Sequence, residues 1–161
     1  MTLTAASVEW GLDFVHAHSD GDLFPKVLEV EAVLAEKAHF VAQIAGGDLS
    51  ALSPGSCRRF VVPKDEVSYR QATQLDPQDS VILAALVYQF GQQNEDLRQD
   101  ERRVFSYRFR PTPAEGLYSS KNAWNNFWTA AAKHAEKYSH ILYCDIADFY
   151  NQVYHHTVEN Q

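Results

Sequence analysis

The chain has 161 residues, of which 45% are hydrophobic and 22% are charged, and its formal net charge is −7. This composition is that of a globular domain and excludes a low-complexity chain. No apolar run is long enough to cross a membrane, the start lacks the basic segment of a signal peptide, and the 2 cysteines do not make a disulfide framework. We therefore expect a soluble, cytoplasmic protein.

The basic side chains are unevenly distributed along the chain. Residues 58–110 carry nine of the 14 lysines and arginines, whereas residues 1–57 carry only Lys26 and Lys37 against eight acidic side chains. Because phosphate contacts need lysine and arginine, any nucleic-acid surface is expected on residues 58–110. Eight acidic side chains are interspersed there, and chance clustering is the alternative interpretation.

Two helices are predicted near the start of the chain. A short helix carries Trp10 and Phe14, and a turn is expected at residues 21–25. A longer helix is predicted over residues 26–45, and Gly46 is its stop signal. The apolar positions of this longer helix follow helical spacing: Val30, Val33, Leu34, Phe40, Val41 and Ile44.

A hairpin followed by a helix is predicted next. Residues 59–64 and 69–75 have the composition of two strands joined by a short turn. Asp76 is a candidate N-cap, Pro77 is suited to the first helical position, and Gly91 is the expected stop of the helix.

The middle of the chain is predicted to contain a loop over residues 91–102, an alternating strand over residues 103–110 and an amphipathic helix over residues 121–138. Arg108 and Arg110 share one face of that strand and are candidates for contact with a nucleic-acid backbone. Four residues share one face of the helix and are expected in the core: Trp124, Phe127, Trp128 and Ala131.

A short apolar run of β-forming residues occupies residues 141–144, which predicts a buried central strand. Asp145 stands where that strand would end, and a carboxylate in this place can hold a metal ion. The segment resembles motif A of reverse transcriptases, whose pattern is Asp-Ile-x-x-Phe-Phe/Tyr. Asp145, Ile146, Phe149 and Tyr150 fill its fixed positions.

Other segments extend the resemblance over most of the chain. Residues 59–75 are similar to the fingers hairpin of the same family. The order of helices before this hairpin, together with residues 103–110 and 121–128, resembles the bacterial defence-associated reverse transcriptases, the abortive-infection and "unknown group" relatives of retrons. The resemblance implies an RNA-directed DNA polymerase that acts in antiphage defence, with an RNA or DNA template and primer.

The resemblance also implies roles for the motif A residues. Asp145 would be the catalytic carboxylate that binds two Mg²⁺ ions, which clamp the attacking and leaving oxygens, and the backbone carbonyl of Ile146 would assist at one of them. Tyr150 would be the steric gate that selects deoxynucleoside triphosphates, and Asp148 and Phe149 would line the nucleotide site with it. The alternative is that Asp145 caps a turn and that the two aromatic residues belong to the core.

On the fingers hairpin, the resemblance makes Lys64 and Arg70 the residues that grip the triphosphate of the incoming nucleotide. Mobile cations suit a polyanion that must arrive and leave. Asp65 and Glu66 lie in the same loop and weaken the positive field. Two ordinary solvated charges beside a turn are the alternative interpretation.

The family's second metal-binding motif, an aromatic-x-Asp-Asp hairpin, has no counterpart, because no Asp-Asp dipeptide occurs in the 161 residues. We therefore expect an α+β fold that corresponds to one truncated polymerase domain: an N-terminal helical segment (1–57), a fingers region (58–140) and the start of the palm (141–161). The chain alone is expected to be inactive. The alternative is a non-catalytic module that binds nucleic acid or a partner polypeptide, including the remainder of a split polymerase.

Two other site patterns are present in the sequence. His16, His18 and Asp20 resemble part of the His-x-His-x-Asp-His metal motif of metallo-β-lactamase-like hydrolases, but Gly21 replaces the last histidine. Cys144 has histidines nearby in sequence, yet its place in an apolar strand predicts packing and not a reactive thiol.

Overall fold

The computed structural model describes residues 1–19, 27–119, 122–146 and 149. These residues form five α-helices, one short 3₁₀ helix and two small antiparallel sheets, which confirms the α+β prediction. They divide into two compact units, Met1–Ala123 and Trp124–Gln161. The domain boundaries expected at residues 57 and 140 stay predictions.

The first unit contains most of the regular structure. Its helices are α1 (Ala5–His18), α2 (Leu28–Ala35), α3 (Lys37–Ile44) and α4 (Pro77–Asp96), and the 3₁₀ helix is Leu49–Ala51. Its first hairpin pairs β1 (Arg58–Pro63) with β2 (Tyr69–Gln74), and its second pairs β3 (Arg108–Thr112) with β4 (Gly116–Ser119).

The core of this unit lies where α1 packs against α4, with α2 and α3 also in contact with α1. Leu12 and Val8 of α1 and Ala85 of α4 are each 0% exposed. Gly11 allows the close approach, because a Cβ at this position would lie 2.7 Å from the carbonyl oxygen of Val81. The apolar residues of α1 therefore form a helix-packing face.

Local sequence signals account for several helix ends. The Asp76 side chain accepts a hydrogen bond from the N–H of Gln78 at 3.0 Å, and Pro77 is the first residue of α4, as predicted. Gly46 follows α3 with φ +75°, a conformation that glycine adopts without steric penalty. Its N–H donates to the carbonyl of Leu3 at 2.9 Å.

The single helix predicted over residues 26–45 is wrong. The chain leaves helical geometry at Glu36, with φ −106° and ψ 31°, so two short helices form instead. Both short helices contact α1. Val30, Phe40, Val41 and Ile44 are buried as predicted. The turn predicted at residues 21–25 lies outside the described residues.

Gly91 does not end α4, and the loop predicted from this residue is wrong as far as Asp96. Gly91 is buried inside the helix, and a Cβ there would lie 2.4 Å from the ring of Phe109. The glycine therefore makes room for an aromatic ring from β3. The helix continues for five residues beyond it, because its solvent-exposed turns need no apolar residues.

The strand predicted over residues 103–110 begins later, at Arg108. The Arg108 guanidinium is only 14% exposed and donates to Glu95 Oε1 at 2.9 Å. The same carboxylate accepts bonds from Arg98 Nη1 and from the N–H of Phe109, each at 3.0 Å. Arg108 therefore holds β3 to α4, which argues against its candidacy for contact with nucleic acid. Arg110 is exposed and lies 3.6 Å from Glu101.

The second unit contains the helix α5 (Ala123–Ala135) and the residues that follow it. None of its described helical residues is buried, and Trp124 and Trp128 are 65% and 46% exposed. The prediction that this aromatic face belongs to a core is wrong. The rings instead contact one another and Tyr143, whose ring centroid is 6.2 Å from that of Trp128.

Among the described residues, no helix combines the length and the apolar character that crossing a membrane requires.

Candidate functional site

The β1–β2 hairpin presents the cationic pair that the sequence singled out. The strands pair in antiparallel register, with Val62 opposite Arg70 and Pro63 opposite Tyr69. Beyond the last pair, the N–H of Lys64 donates to the carbonyl of Ser68 at 2.9 Å. The hairpin predicted over residues 59–75 is thereby confirmed.

Asp65 organises the turn of this hairpin. Its Oδ1 accepts the N–H groups of Val67 and Ser68 at 2.9 and 2.8 Å, and its Oδ2 accepts the Ser68 hydroxyl at 2.6 Å. These hydrogen bonds lower the pKa of the Asp65 carboxyl, and the bond from the Ser68 hydroxyl has the largest effect. The Asp65 carboxylate therefore stabilises the turn, and its hydrogen-bond donors all belong to the same loop.

Lys64 and Arg70 both lie near the turn of the hairpin. Residues directly opposite in a ladder share a face, so the Arg70 and Val62 side chains lie on one face of the hairpin. Lys64 follows the last residue of β1 and belongs to the turn. Both cations are exposed, and neither side chain has an ion pair or hydrogen bond within the described part of the chain. Two exposed cations therefore lie near the turn, and the charge of Lys64 also acts on the neighbouring Asp65 carboxylate.

The charge of the whole hairpin is positive. Residues 58–74 contain four basic residues, Arg58, Arg59, Lys64 and Arg70, against two acidic ones, Asp65 and Glu66. Arg58 lies 4.0 Å from Glu29, so the base of the hairpin is partly neutralised. The turn end carries Lys64 and Arg70 together with Asp65 and Glu66, so its formal charge is zero.

Asp145 is not at the end of a strand. Residues 141–146 have no regular structure and are exposed, with Leu142 87% and Tyr143 68% exposed. A strand requires a neighbour for its N–H and C=O groups, and no described residue pairs with this run. The predicted buried palm strand is therefore wrong for this chain by itself, and Cys144 is exposed where packing was predicted.

The Asp145 carboxylate is exposed and accepts a hydrogen bond from the N–H of Ile146 at 2.9 Å. This contact joins adjacent residues, so both the metal-ligand role of Asp145 and the alternative that it caps a turn stay predictions. Phe149 is 50% exposed. Asp148 and Tyr150, the other predicted nucleotide-site residues, lie outside the described residues.

The described residues do not assemble a ligand set for two Mg²⁺ ions. Among them, no three histidine, cysteine, aspartate or glutamate side chains cluster closely enough to hold a metal ion. Mg²⁺ needs six oxygen ligands in near-octahedral geometry, and the usual protein contribution is one or two carboxylates beside substrate phosphates. Asp145 and the Ile146 carbonyl supply too few groups by themselves.

The histidine pattern near the end of α1 has structural contacts. His16 Nε2 lies 3.2 Å from each carboxylate oxygen of Glu31, and the His18 ring lies 4.8 Å from that of Phe14. Asp20 and Gly21, the rest of the hydrolase-like pattern, lie outside the described residues. The two histidines have partners of different kinds, and no metal cluster of described residues includes them.

Sequence reasoning missed two features that the structure contains. One is a cleft beside α1 and α4, whose described lining comes from five elements, α1, α2, β2, α4 and β4, and gives no local signal in the sequence. The other is the exposed aromatic face of α5, where Trp124 and Trp128 have the helical spacing of core residues without the burial.

The chain matches no protein-family model, no curated protein and no solved structure. The resemblance to reverse transcriptases therefore rests on the residues of motif A and of the fingers hairpin. Of these two segments, the hairpin has the expected geometry within the described residues.

Proposed function

We propose that this chain is the fingers and first palm segment of a bacterial defence-type reverse transcriptase, and that its β1–β2 hairpin binds the triphosphate of a deoxynucleotide. The observation that carries the proposal is the placement of Lys64 and Arg70 near the turn of an exposed hairpin, with neither side chain in an ion pair or hydrogen bond with another described residue.

Free cations favour this function over a structural role. An arginine that holds elements together is buried against a carboxylate, as Arg108 is against Glu95. Arg70 and Lys64 form no such buried ion pair among the described residues, although the charge of Lys64 acts on the neighbouring Asp65, so both cations are accessible to a phosphate. Guanidinium and ammonium groups form charge-assisted hydrogen bonds with phosphate oxygens, and an exposed hairpin allows the ligand to arrive and leave.

The motif A residues indicate the type of reaction that we propose for the complete enzyme. Asp145, Ile146, Phe149 and Tyr150 fill the pattern of a polymerase motif whose aspartate holds Mg²⁺. In the complete enzyme, two Mg²⁺ ions supply Lewis-acid stabilisation of phosphoryl transfer. The described residues of this chain bring one carboxylate to that task, so we propose that the 161-residue chain alone does not polymerise.

A binding experiment without metal isolates the contribution of the hairpin. Isothermal titration with dATP in the presence of EDTA measures the affinity of the wild-type chain and of a Lys64→Gln/Arg70→Gln variant. We expect the variant to bind at least about tenfold more weakly, because each charge-assisted hydrogen bond contributes about 1.5–3 kcal/mol before solvent screening.

The matched control removes two charges from the other end of the same hairpin. An Arg58→Gln/Arg59→Gln variant has the same net charge as the test variant, and it should change the affinity for dATP by less than about threefold. Equal weakening in both variants would mean that dATP responds only to the overall positive charge, and the triphosphate site would then be wrong.

A primer-extension assay in Mg²⁺ tests the catalytic part of the proposal. We expect no extension by the wild-type chain or by Asp145→Ala. Extension by wild type and none by Asp145→Ala would support the role of Asp145 and would disprove the proposed inactivity of the chain alone. Extension by both proteins would remove Asp145 from the mechanism.

The exposed run at residues 141–146 favours a second function, a non-catalytic module that binds a partner polypeptide. Ile141, Leu142 and Tyr143 are 55%, 87% and 68% exposed, and their backbone groups have no ladder partner among the described residues. A strand from a partner polypeptide would cover these apolar side chains and pair with these backbone groups. In that case dATP binding would be insensitive to Lys64 and Arg70, and Asp145→Ala would leave partner binding intact.

A further inference from the structure

One edge of the β1–β2 hairpin is open to a further strand. Pro63 has no N–H, so the Pro63–Tyr69 pair cannot exchange two hydrogen bonds and is a non-hydrogen-bonded pair of the ladder. The two kinds of pair alternate along an antiparallel ladder, so Val61–Gln71 is also non-hydrogen-bonded. The N–H and C=O groups of Tyr69 and Gln71 therefore point away from β1, and this sheet has no third strand among the described residues.

The β2 edge is better suited to strand addition than the β1 edge. A proline removes a donor from an edge and hinders pairing with another strand, and β1 has Pro63 whereas β2 contains no proline. Tyr69 and Gln71 are exposed, and within the described part of the chain neither residue has a hydrogen bond outside the ladder. A partner strand can therefore reach the outward groups of β2.

A segment of the same chain has the properties that this edge requires. Residues 141–144 are β-forming and exposed, and no described residue pairs with them. This run is short enough to lie along the six residues of β2. The charges are complementary, because Arg70 is the single charged residue of β2 and Asp145 is the single formally charged residue in 139–146. Opposite charges on neighbouring strands favour their pairing.

We propose that the run at residues 141–144 of one copy adds to the β2 edge of a second copy of this chain. Each copy contributes one such run and one such edge, so reciprocal exchange closes a dimer and leaves neither unpaired. The second copy would be the partner polypeptide of the non-catalytic function proposed above, on which this inference rests, whereas triphosphate binding by Lys64 and Arg70 does not depend on it.

Sedimentation velocity of the full chain in a reducing buffer measures the association. The reducing agent prevents disulfides between the exposed cysteines, Cys57 and Cys144. We expect the weight-average mass to rise with protein concentration from 18.3 kDa towards twice that value. A mass that stays at the monomer value up to about 0.5 mM, where even weak complexes are populated, overturns the proposal.

Two proline variants at opposed positions distinguish the edges. Gln71→Pro removes an outward N–H from β2, and Val61→Pro makes the same change on β1; the ladder between the two strands uses neither N–H. We expect Gln71→Pro to weaken association at least about tenfold and Val61→Pro to change it less than about twofold. Equal weakening by both variants would overturn the assignment to the β2 edge. Circular dichroism of each variant checks that the fold is intact.

A third variant tests the run. Leu142 is 87% exposed, so Leu142→Pro disturbs no buried packing, and it should also weaken association at least about tenfold. The Gln71→Pro copy keeps its run and the Leu142→Pro copy keeps its edge. An equimolar mixture of the two should therefore associate more strongly than either variant alone at the same total concentration.

Three results of these mixing experiments overturn the proposal. Association of Leu142→Pro at the wild-type level would indicate pairing between two β2 edges, and the same result for Gln71→Pro would indicate pairing between two runs. A mixture no stronger than its components would exclude contact between run and edge. We expect Leu142→Pro to bind dATP as wild type does, so loss of association and loss of the triphosphate site are measured separately.

Discussion

Replacing Gly11 with alanine tests the closest approach between α1 and α4. A Cβ atom on Gly11 would lie 2.7 Å from the carbonyl oxygen of Val81 and 3.0 Å from the amide nitrogen of Ala85. Both are backbone atoms, so no side-chain rotation relieves the contact and the two helices must separate. Leu12 and Ala85 are both 0% exposed, so separation disturbs the centre of the core.

Two effects of opposite sign determine the size of the change. Alanine is favoured over glycine in a helix interior by about 1 kcal/mol. Overpacking a core destabilises by about 1–3 kcal/mol, occasionally more, and contact with backbone atoms places Gly11 at or above the upper end. We therefore expect the free energy of unfolding to fall by about 2 kcal/mol, which lowers the Tm by about 4–8 °C for a chain of this size.

Thermal unfolding followed by the fluorescence of Trp10 measures the change in Tm at the interface between α1 and α4. The Trp10 ring stacks on Tyr88 of α4 with centroids 4.4 Å apart, so its emission reports the α1–α4 interface. The chain has 3 tryptophans, and replacing Trp124 and Trp128 with phenylalanine leaves Trp10 as the single reporter.

Gly47→Ala is the matched control, since a Cβ there would meet only the carbonyl oxygen of Ile44, at 3.4 Å. We expect its Tm to stay within about 2 °C of wild type, as for other surface substitutions. A Gly11→Ala protein that is as stable as Gly47→Ala would refute the close packing of the two helices.

Glu95→Gln should lower the free energy of unfolding by about 2 kcal/mol, because the largely buried Arg108 loses its charged partner. Urea unfolding measures this change, and an unchanged midpoint would contradict the stabilising role of the Glu95–Arg108 ion pair. Burial raises the pKa of Glu95, but hydrogen bonds from the Phe109 N–H and from Arg108 outweigh it, so the pKa lies below 4.5. The stabilisation is therefore complete above pH 4.5 and lost in acid, where wild type and variant should converge. Hydrogen bonds from the Ser50 hydroxyl and N–H, with the N-terminal ammonium, lower the pKa of Asp48 to about 2. In Ser50→Ala, carboxyl-carbon NMR titration should show this pKa rising towards 3.8, and no rise would assign the shift to the ammonium instead.

The elements that sequence predicted well are those specified by adjacent residues. Asp76 and Pro77 mark the start of α4 because the cap and the fixed proline φ act within one turn. The β1–β2 hairpin formed as expected because two short β-forming runs flank a turn that Asp65 closes with three hydrogen bonds. The position of Lys64 and Arg70 near the turn then follows from this pairing.

Where sequence prediction failed, the deciding partner is distant in the chain. Gly91 has the local signature of a helix stop, yet its function is to admit the ring of Phe109, which no pattern around Gly91 reveals. Glu36 interrupts a helical pattern that contains neither glycine nor proline, and both resulting helices contact α1. Arg108 has the alternation of a surface strand, but Glu95 on α4 draws it into the packed interior.

At Asp145 the local sequence pattern and the need for a distant partner lead to different expectations. The pattern of residues 141–150 fits a polymerase motif, and its apolar run predicts a central strand, but a strand forms only where a second backbone offers matching N–H and C=O groups. No described residue offers them, so the run is exposed and Asp145 bonds to its own neighbour. Burying Ile141, Leu142 and Tyr143 against another backbone would place Asp145 at the end of a strand, whether that backbone belongs to a polymerase palm or to a partner protein. The catalytic role proposed for the motif therefore requires that second backbone, whereas the phosphate contacts proposed for the β1–β2 hairpin do not.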